Sequence, residues 1–424
     1  MRIVFSTYGT FGDVNPLVAL SLELKRRGHR PVLAIPEMFR PKVEPLGIEF
    51  APVRPEQDPN DTRLIAMIYD IKHGTEVGLR QFLFPSLRDS YADLTAAVEA
   101  DGGADLLVAG ELAYAAPIVA EKTGIPWASY VLAPFSFFSA CDPPVLPPYP
   151  TLAHLQSAFP PLGHVVARFA RLVTRKWPEP VYALRQELGL PRGKDPIFDA
   201  KHSERLALAL FSPVMGKPQP DWPPSVRTTG FAFYDGTGDE GRLPPPLSAF
   251  LDAGPPPLVF TLGSAAVMHA GDFYEQSAHA AEMLGERAVL LIGADDRNLP
   301  KRRLPDTICV ARYAPYSQIF PRASVIVHQG GIGTVAQALR AGRPMLIMPY
   351  SHDQPDNARR VRRLGVAEVL SRQHYQAKPA AQLIRRLLGE ASCRERAAAV
   401  AAQVSAENGA VTACDALESM LPRC

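Results

Sequence analysis

Cysteine is scarce and scattered. Five of the 424 residues are Cys (Cys141, Cys309, Cys393, Cys414 and Cys424), an odd count without a C-x-x-C pair. That spacing argues against a zinc ribbon or a disulfide framework and fits a reducing compartment. Net charge is nearly absent too, with 45 Lys and Arg against 43 Asp and Glu. A nucleic-acid binder that works by neutralising phosphates needs a larger cationic excess. No apolar run reaches the roughly 18 residues that a spanning helix needs. The start, Met1-Arg2-Ile3-Val4-Phe5, turns polar too soon for a signal-peptide core. The expectation is a cytoplasmic protein, peripheral at most to the inner face of a membrane. No Asp-x-Asp pair occurs, and the His and acidic residues show no metal-ligand spacing, so no metal is expected.

What is present is a globular composition, 47% hydrophobic and 21% charged, in a chain long enough for two or three domains. The 43 prolines cluster between periodic segments and mark loops rather than low complexity. Arg2 to Ser6 reads as a buried strand and Tyr8 to Asp13 as a turn. Asn15 is the expected cap of the next helix, with Pro16 at its first position, and Arg30 to Ile35 reads as a second strand. This βαβ unit implies a parallel sheet. Strands at Leu106–Ala109 and Trp127–Val131 flank a helix over Pro117–Lys122. After an expected linker from Pro213 through Pro224, and another Gly- and Pro-rich stretch from Asp235 to Pro246, the alternation resumes. It runs through strands at 258–262, 288–292, 324–328 and 345–348, with a helix over Phe273–Leu284. Cys393 to Leu421 is Ala-rich and helical.

The strongest chemical signal is His328-Gln329-Gly330-Gly331-Ile332-Gly333-Thr334. A strand delivers a glycine loop, and the loop opens a helix, whose first N–H groups form an anion site. Thr334 and His328 can donate to the same phosphate. Downstream, Tyr350-Ser351-His352-Asp353-Gln354-Pro355-Asp356-Asn357-Ala358 follows a strand end, where ligands of open parallel sheets bind. Asp353 and Gln354 suit a group rich in hydroxyls, so the pair of motifs fits a nucleotide-activated sugar.

Residues 328 to 358 resemble the donor signature of the family 1 (UDP-glycosyltransferase) superfamily, with its His-x-Gly-Gly, Pro and Asp-Gln-x-x-Asn-Ala elements in order. The resemblance implies a GT-B architecture: two Rossmann-like α/β domains with parallel sheets facing across a cleft. The division expected is 1–225 for the acceptor, 226–400 for the donor, and a 401–424 helix packing back on the first. It also implies that Tyr313 packs on the base, that the backbone of Ala314 bonds its edge, and that Gly12, Gly263 and Ser264 lie on the donor side. Gln337 stands where many members carry a ribose-binding Glu. Gly9 to Pro16 resembles the Gly-Asp-Val motif of sterol- and antibiotic-glycosyltransferase-like branches, which makes Asp13 the general base. Gly230 to Gly236 and Gly271 to Tyr274 resemble rhamnolipid rhamnosyltransferase-like enzymes. Inverting, metal-independent transfer of a hexose or deoxyhexose from a UDP- or dTDP-sugar to an apolar hydroxylated acceptor follows as the expected activity, with no cofactor.

The acceptor side is read from position. Phe135, Phe137 and Phe138 lie in an aromatic, proline-rich stretch after a strand, and Glu111 follows the strand at 106–109. The basic, apolar run His164–Trp177 fits a membrane surface or, more commonly, a solvated helix face. Two rival readings change the function, the first also pairing α/β domains with a diphosphate cradle and the second keeping the same fold. A nucleotide-sugar epimerase or dehydrogenase should carry G-x-G-x-x-G after the first strand, which is absent. A non-catalytic partner subunit should lack Asp13 or His328, and both are present.

Overall fold

The computed structural model describes residues 1–56, 58, 61–159 and 161–421. The chain forms two compact units, Met1–Asp61 with Lys72–Tyr234 and Glu407–Cys424, and Thr62–Ile71 with Asp235–Ala406.

The first unit holds strands β1 (Arg2–Ser6), β2 (Arg30–Ile35), β3 (Glu49–Pro52), β4 (Leu106–Gly110), β5 (Trp127–Val131), β6 (Ala207–Ala209) and β7 (Val226–Thr228). They form one parallel sheet in the order β3-β2-β1-β4-β5-β6-β7. β1 and β4 are buried at every position, as expected of strands covered on both faces. Residues 213–224, expected as a linker, remain in this unit because the chain returns after them to add β7.

The second unit holds β8 (Leu258–Thr261), β9 (Ala288–Leu291), β10 (Ile308–Ala311), β11 (Val325–His328), β12 (Met345–Ile347) and β13 (Ala367–Val369), ordered β10-β9-β8-β11-β12-β13 and again parallel. In each sheet the order reverses once, between β1 and β4 and between β8 and β11. Ligands of doubly wound sheets bind at that reversal, outside the carboxyl ends of the strands. The loops that leave those four strands carry Gly9–Asp13, Glu111, Gly263-Ser264 and His328–Thr334.

The first helix departs from expectation. It spans Phe11–Arg26, with Thr10 as its cap and Pro16 inside it. Thr10 and Asp13 close a reciprocal capping box that starts the helix early. Pro16 then costs one ladder bond, to the Gly12 carbonyl.

The Ala-rich end divides between the units. Ala391–Ala406 packs on the Ile332–Ala341 helix, and Gly409–Glu418 packs on Phe11–Arg26. Ala413, Cys414 and Leu417 enter the first unit's core, and Arg27 bridges Asp415 and Glu418 at 2.6 and 2.7 Å. Gly409 makes this approach possible, since a Cβ there would stand 2.4 Å from the Phe231 carbonyl oxygen. The short Thr62–Ile71 segment joins the second unit through Tyr69, whose ring meets those of Tyr350 and His352 edge-on at 6.3 and 5.5 Å.

Candidate functional site

In the second unit β11 ends on His328, which is fully buried. The Gly330 backbone N–H donates to His328 Nδ1 at 3.0 Å, and burial drives the imidazole pKa down to about 3. The ring is therefore neutral, with its proton on Nε2. That Nε2 is buried without a hydrogen-bond partner among the described residues. A buried donor left unpaired costs roughly 1–3 kcal/mol, which an incoming acceptor would relieve.

Gly330 has φ +89°, and a side chain there would meet Ile347 Cγ2 at 2.8 Å and the Gln354 carbonyl at 3.2 Å. Gly331 starts the Ile332–Ala341 helix without any side-chain cap. The helix begins at Ile332, inside the glycine run, which brings Gly333 and Thr334 into its first turn. Gly333 is exposed and Thr334 buried, its hydroxyl bonded to Tyr316. Tyr316 is also tied to Thr261 Oγ1 at 2.8 Å and stacks on Phe320. This ties β8 to the helix start.

Asn357 fixes the neighbouring loop: its Nδ2 donates to the Gly330 carbonyl at 3.0 Å and to Asp353 Oδ2 at 2.7 Å. Gln354 accepts the Tyr350 N–H on Oε1 at 2.9 Å, so its amide nitrogen is oriented as a donor elsewhere. His352, just before this pair, has φ +56°. Gly263 (φ +66°) and Gly331 both close on the buried Gln329 side chain; a Cβ at either would stand 2.4 or 2.8 Å from its Nε2. Ser264 and the Tyr313 ring are exposed, the latter by 53%, while Ala314 is buried. Gln337, expected on a ribose, instead gives its amide N–H to Asp235 Oδ1 at 3.1 Å and accepts from Arg340 at 2.7 Å.

In the first unit Asp13 Oδ2 accepts from Thr10 N at 2.7 Å and Thr10 Oγ1 at 3.3 Å. Burial raises its pKa to about 6 against those bonds, and the charge of Glu111 pushes the same way. Gly9 (φ +134°) permits the approach, as a Cβ there would lie 2.2 Å from Asp13 Oδ2. Gly12 gives its N–H to Thr10 Oγ1 at 3.1 Å and serves the cap.

Residues 3–137 match the glycosyltransferase family 28 N-terminal domain, and residues 278–420 the erythromycin biosynthesis protein CIII-like C-terminal domain. Over 434 residues the chain is 32% identical to an O-mycaminosyltylonolide 6-deoxyallosyltransferase of Streptomyces fradiae, covering 99% of this chain and 97% of that protein. The chain belongs to the GT-B glycosyltransferases. This nucleotide-sugar glycosyltransferase is also 30% identical to glycosyltransferase GtfE of Amycolatopsis orientalis, over 98% of its own length and 97% of that protein. Its fold is similar to the crystal structure of the glycotransferase of kitacinnamycin, with TM-score 0.75 and 22% identity over 99% of both chains.

On the acceptor side the glycosyltransferase departs from one expectation. Phe137 is core: it stacks on Trp222 at 4.2 Å and contacts His202 and Phe211. Glu111 lies close enough to Asp13 for its charge to act there, and is itself paired with Lys201 at 2.8 Å while accepting from Ser136 Oγ at 2.6 Å. Burial alone would raise its pKa, yet the Lys201 charge and these bonds hold it below the usual value. Phe135 and Phe138 are half-buried, 6.2 Å apart, with Phe138 in the left-handed region.

Thr10, Gln329, Tyr316 and Lys201 were not anticipated. Thr10 had a readable signal, Thr three residues before Asp, which is a capping-box pattern. The other three act through contacts distant in sequence, and no local pattern marks them.

Proposed function

We propose that this glycosyltransferase catalyses a single inverting displacement, moving a hexose or deoxyhexose from a UDP- or dTDP-sugar to the hydroxyl of an apolar small molecule. The observation that carries the donor side is the neutral His328 ring, pinned at Nδ1 and unpartnered at Nε2, beside an uncapped helix start. Nε2–H and the N–H groups of the first helical turn receive the departing diphosphate, whose charge the helix dipole favours. Asp353 and the Gln354 amide take sugar hydroxyls, and the exposed Tyr313 ring stacks on the base. Asp13 removes the acceptor proton: Oδ2 is engaged by the cap, Oδ1 remains for the acceptor, and a pKa near 6 keeps it ionised yet basic at neutral pH. The name of the Streptomyces fradiae relative, a 6-deoxyallosyltransferase, supports a deoxyhexose donor.

A panel of UDP- and dTDP-linked hexoses and deoxyhexoses, offered with one phenolic acceptor and read by product mass, tests the reading. A glycoside bearing one of these sugars is expected. Failure of every donor, while the nucleoside diphosphates still bind, would overturn the transfer but leave the diphosphate cradle standing.

A further inference from the structure

A helix on a protein surface ordinarily turns its large apolar side chains inward. The Pro161–Thr174 helix turns four of its large apolar side chains outward. Its inward side holds small residues beside the half-buried Leu162 and Val166: Gly163 is buried, where a Cβ would stand 2.4 Å from the Ala140 carbonyl oxygen, and Ala167, Ala170 and Thr174 are half-buried. Val165, Phe169, Leu172 and Val173 are 56 to 62% exposed. Their spacing sets them on one face. Leu155 and Phe159, at 59 and 62%, add to the exposed apolar surface from the preceding Leu152–Ala158 helix and its end, and the two helices pack together.

The adjoining face is cationic. His164, Arg168 and Arg171 recur at helical spacing, Arg175 and Lys176 follow, and no acidic residue occurs from 161 to 178. Arg171 is tied to Asp199 at 2.6 Å, whereas Arg168, Arg175 and Lys176 stand exposed.

We propose that this face docks on an anionic lipid bilayer, the helix lying in the interfacial plane with its apolar stripe among the acyl chains and its cations at the headgroups. The charge pattern selects this occupant. A second copy of the chain would bring the same cations against themselves, while anionic headgroups neutralise them as the stripe is buried. Among the described residues no helix is long and apolar enough to cross a membrane, so the contact is interfacial.

Vesicle flotation of the full chain tests this, with equimolar phosphatidylcholine and phosphatidylglycerol against phosphatidylcholine alone. The chain should float with the anionic vesicles and release in high salt. Phe169→Ser with Leu172→Ser should abolish flotation. Arg168→Glu, Arg175→Glu and Lys176→Glu together should weaken it by at least about a hundredfold, at roughly fivefold per cation. Each variant should keep its melting temperature and its turnover of a water-soluble acceptor, since the altered side chains are exposed and outside the transfer machinery. Flotation with neither vesicle, or flotation undiminished in both variants, would overturn the proposal. So would a wild-type dimer by light scattering that the Phe169→Ser, Leu172→Ser variant converts to monomer, which would assign the face to a second copy.

Discussion

Gly330 N–H and His328 Nδ1 are 3.0 Å apart, and this bond decides what the imidazole can do. It makes Nδ1 the acceptor, so the proton stays on Nε2, where burial has removed every other partner among the described residues. The ring offers a directed neutral donor and not a charge, because burial holds its pKa near 3.

His328→Ala should therefore weaken binding of the nucleoside diphosphate product by about ten- to hundredfold, read by calorimetry. The His328 contribution should not vary between about pH 5 and 8, since the ring stays neutral throughout. Stability should respond to acid. The folded value lies below the ordinary 6.5, so the contribution is full above that value and lost as pH falls toward about 3. His328→Gln should flatten that acid limb of the melting curve; a steeper one would contradict a buried neutral ring.

Asp13→Asn separates base from cap. Asn retains an oxygen for the Thr10 N–H, so the helix start should hold, while turnover drops by about 10²–10⁴. In the wild type kcat/KM should rise with pH through about 6, the raised value of Asp13. The raised pKa works against stability in the same window: the contribution is full below the ordinary 3.8 and lost as pH rises through about 6. The Asn variant should thus melt no lower than wild type at neutral pH. Asp13→Ala should also lose the cap, at about 0.5–2 kcal/mol. Near-normal turnover by the Asn variant would remove Asp13 from the mechanism.

Much of this architecture was legible because covered parallel strands are written as short apolar runs. Arg2–Ser6, Arg30–Ile35 and Trp127–Val131 match β1, β2 and β5 residue for residue. β3, β6, β7, β10 and β13 carry a weaker signal: they are three or four residues long, and β3, β7, β10 and β13 are partly exposed. Runs that short are easily lost among the prolines. The glycine loop at 330–333 was readable, since close backbone approach demands glycine. The Gln337–Asp235 bond was not, because Asp235 lies 102 residues away.

Gly330→Ala should be disruptive, because φ +89° strains any side chain and the new Cβ faces Ile347 and the Gln354 carbonyl. A loss of about 1–3 kcal/mol is expected from the backbone alone. The His328 bond should shift with it, so diphosphate affinity should fall alongside the melting temperature. Gly389→Ala, where nothing lies within 4 Å of the added Cβ, is the control. Equal behaviour of the two variants would show that the loop tolerates the strain.

Gln337 is held by Asp235 and Arg340 on a partly exposed surface, where such contacts are weak. Gln337→Ala should change donor KM by less than about fivefold, equivalent to roughly 1 kcal/mol. A larger rise in steady-state donor titrations would return Gln337 to the ribose and require the Asp235 bond to break on binding.

Phe135 and Phe137, two residues apart, should respond oppositely to truncation. Phe137 is 9% exposed and stacked on Trp222, with His202 and Phe211 against it. Removing that ring opens a cavity in a packed cluster, so Phe137→Ala should cost about 3–5 kcal/mol of stability by denaturant titration. Phe135 is half-buried, with Phe138 as its aromatic neighbour. Phe135→Ala should leave the melting temperature nearly unchanged. If its ring lies against an apolar acceptor, truncation should raise acceptor KM by about tenfold or more, from a loss of about 1.5–3 kcal/mol, and leave donor KM alone. Donor and acceptor KM rising together in the Phe135 variant would place the acceptor elsewhere. A stable, well-folded Phe137→Ala protein with a raised acceptor KM would mean that this ring, and not Phe135, meets the acceptor.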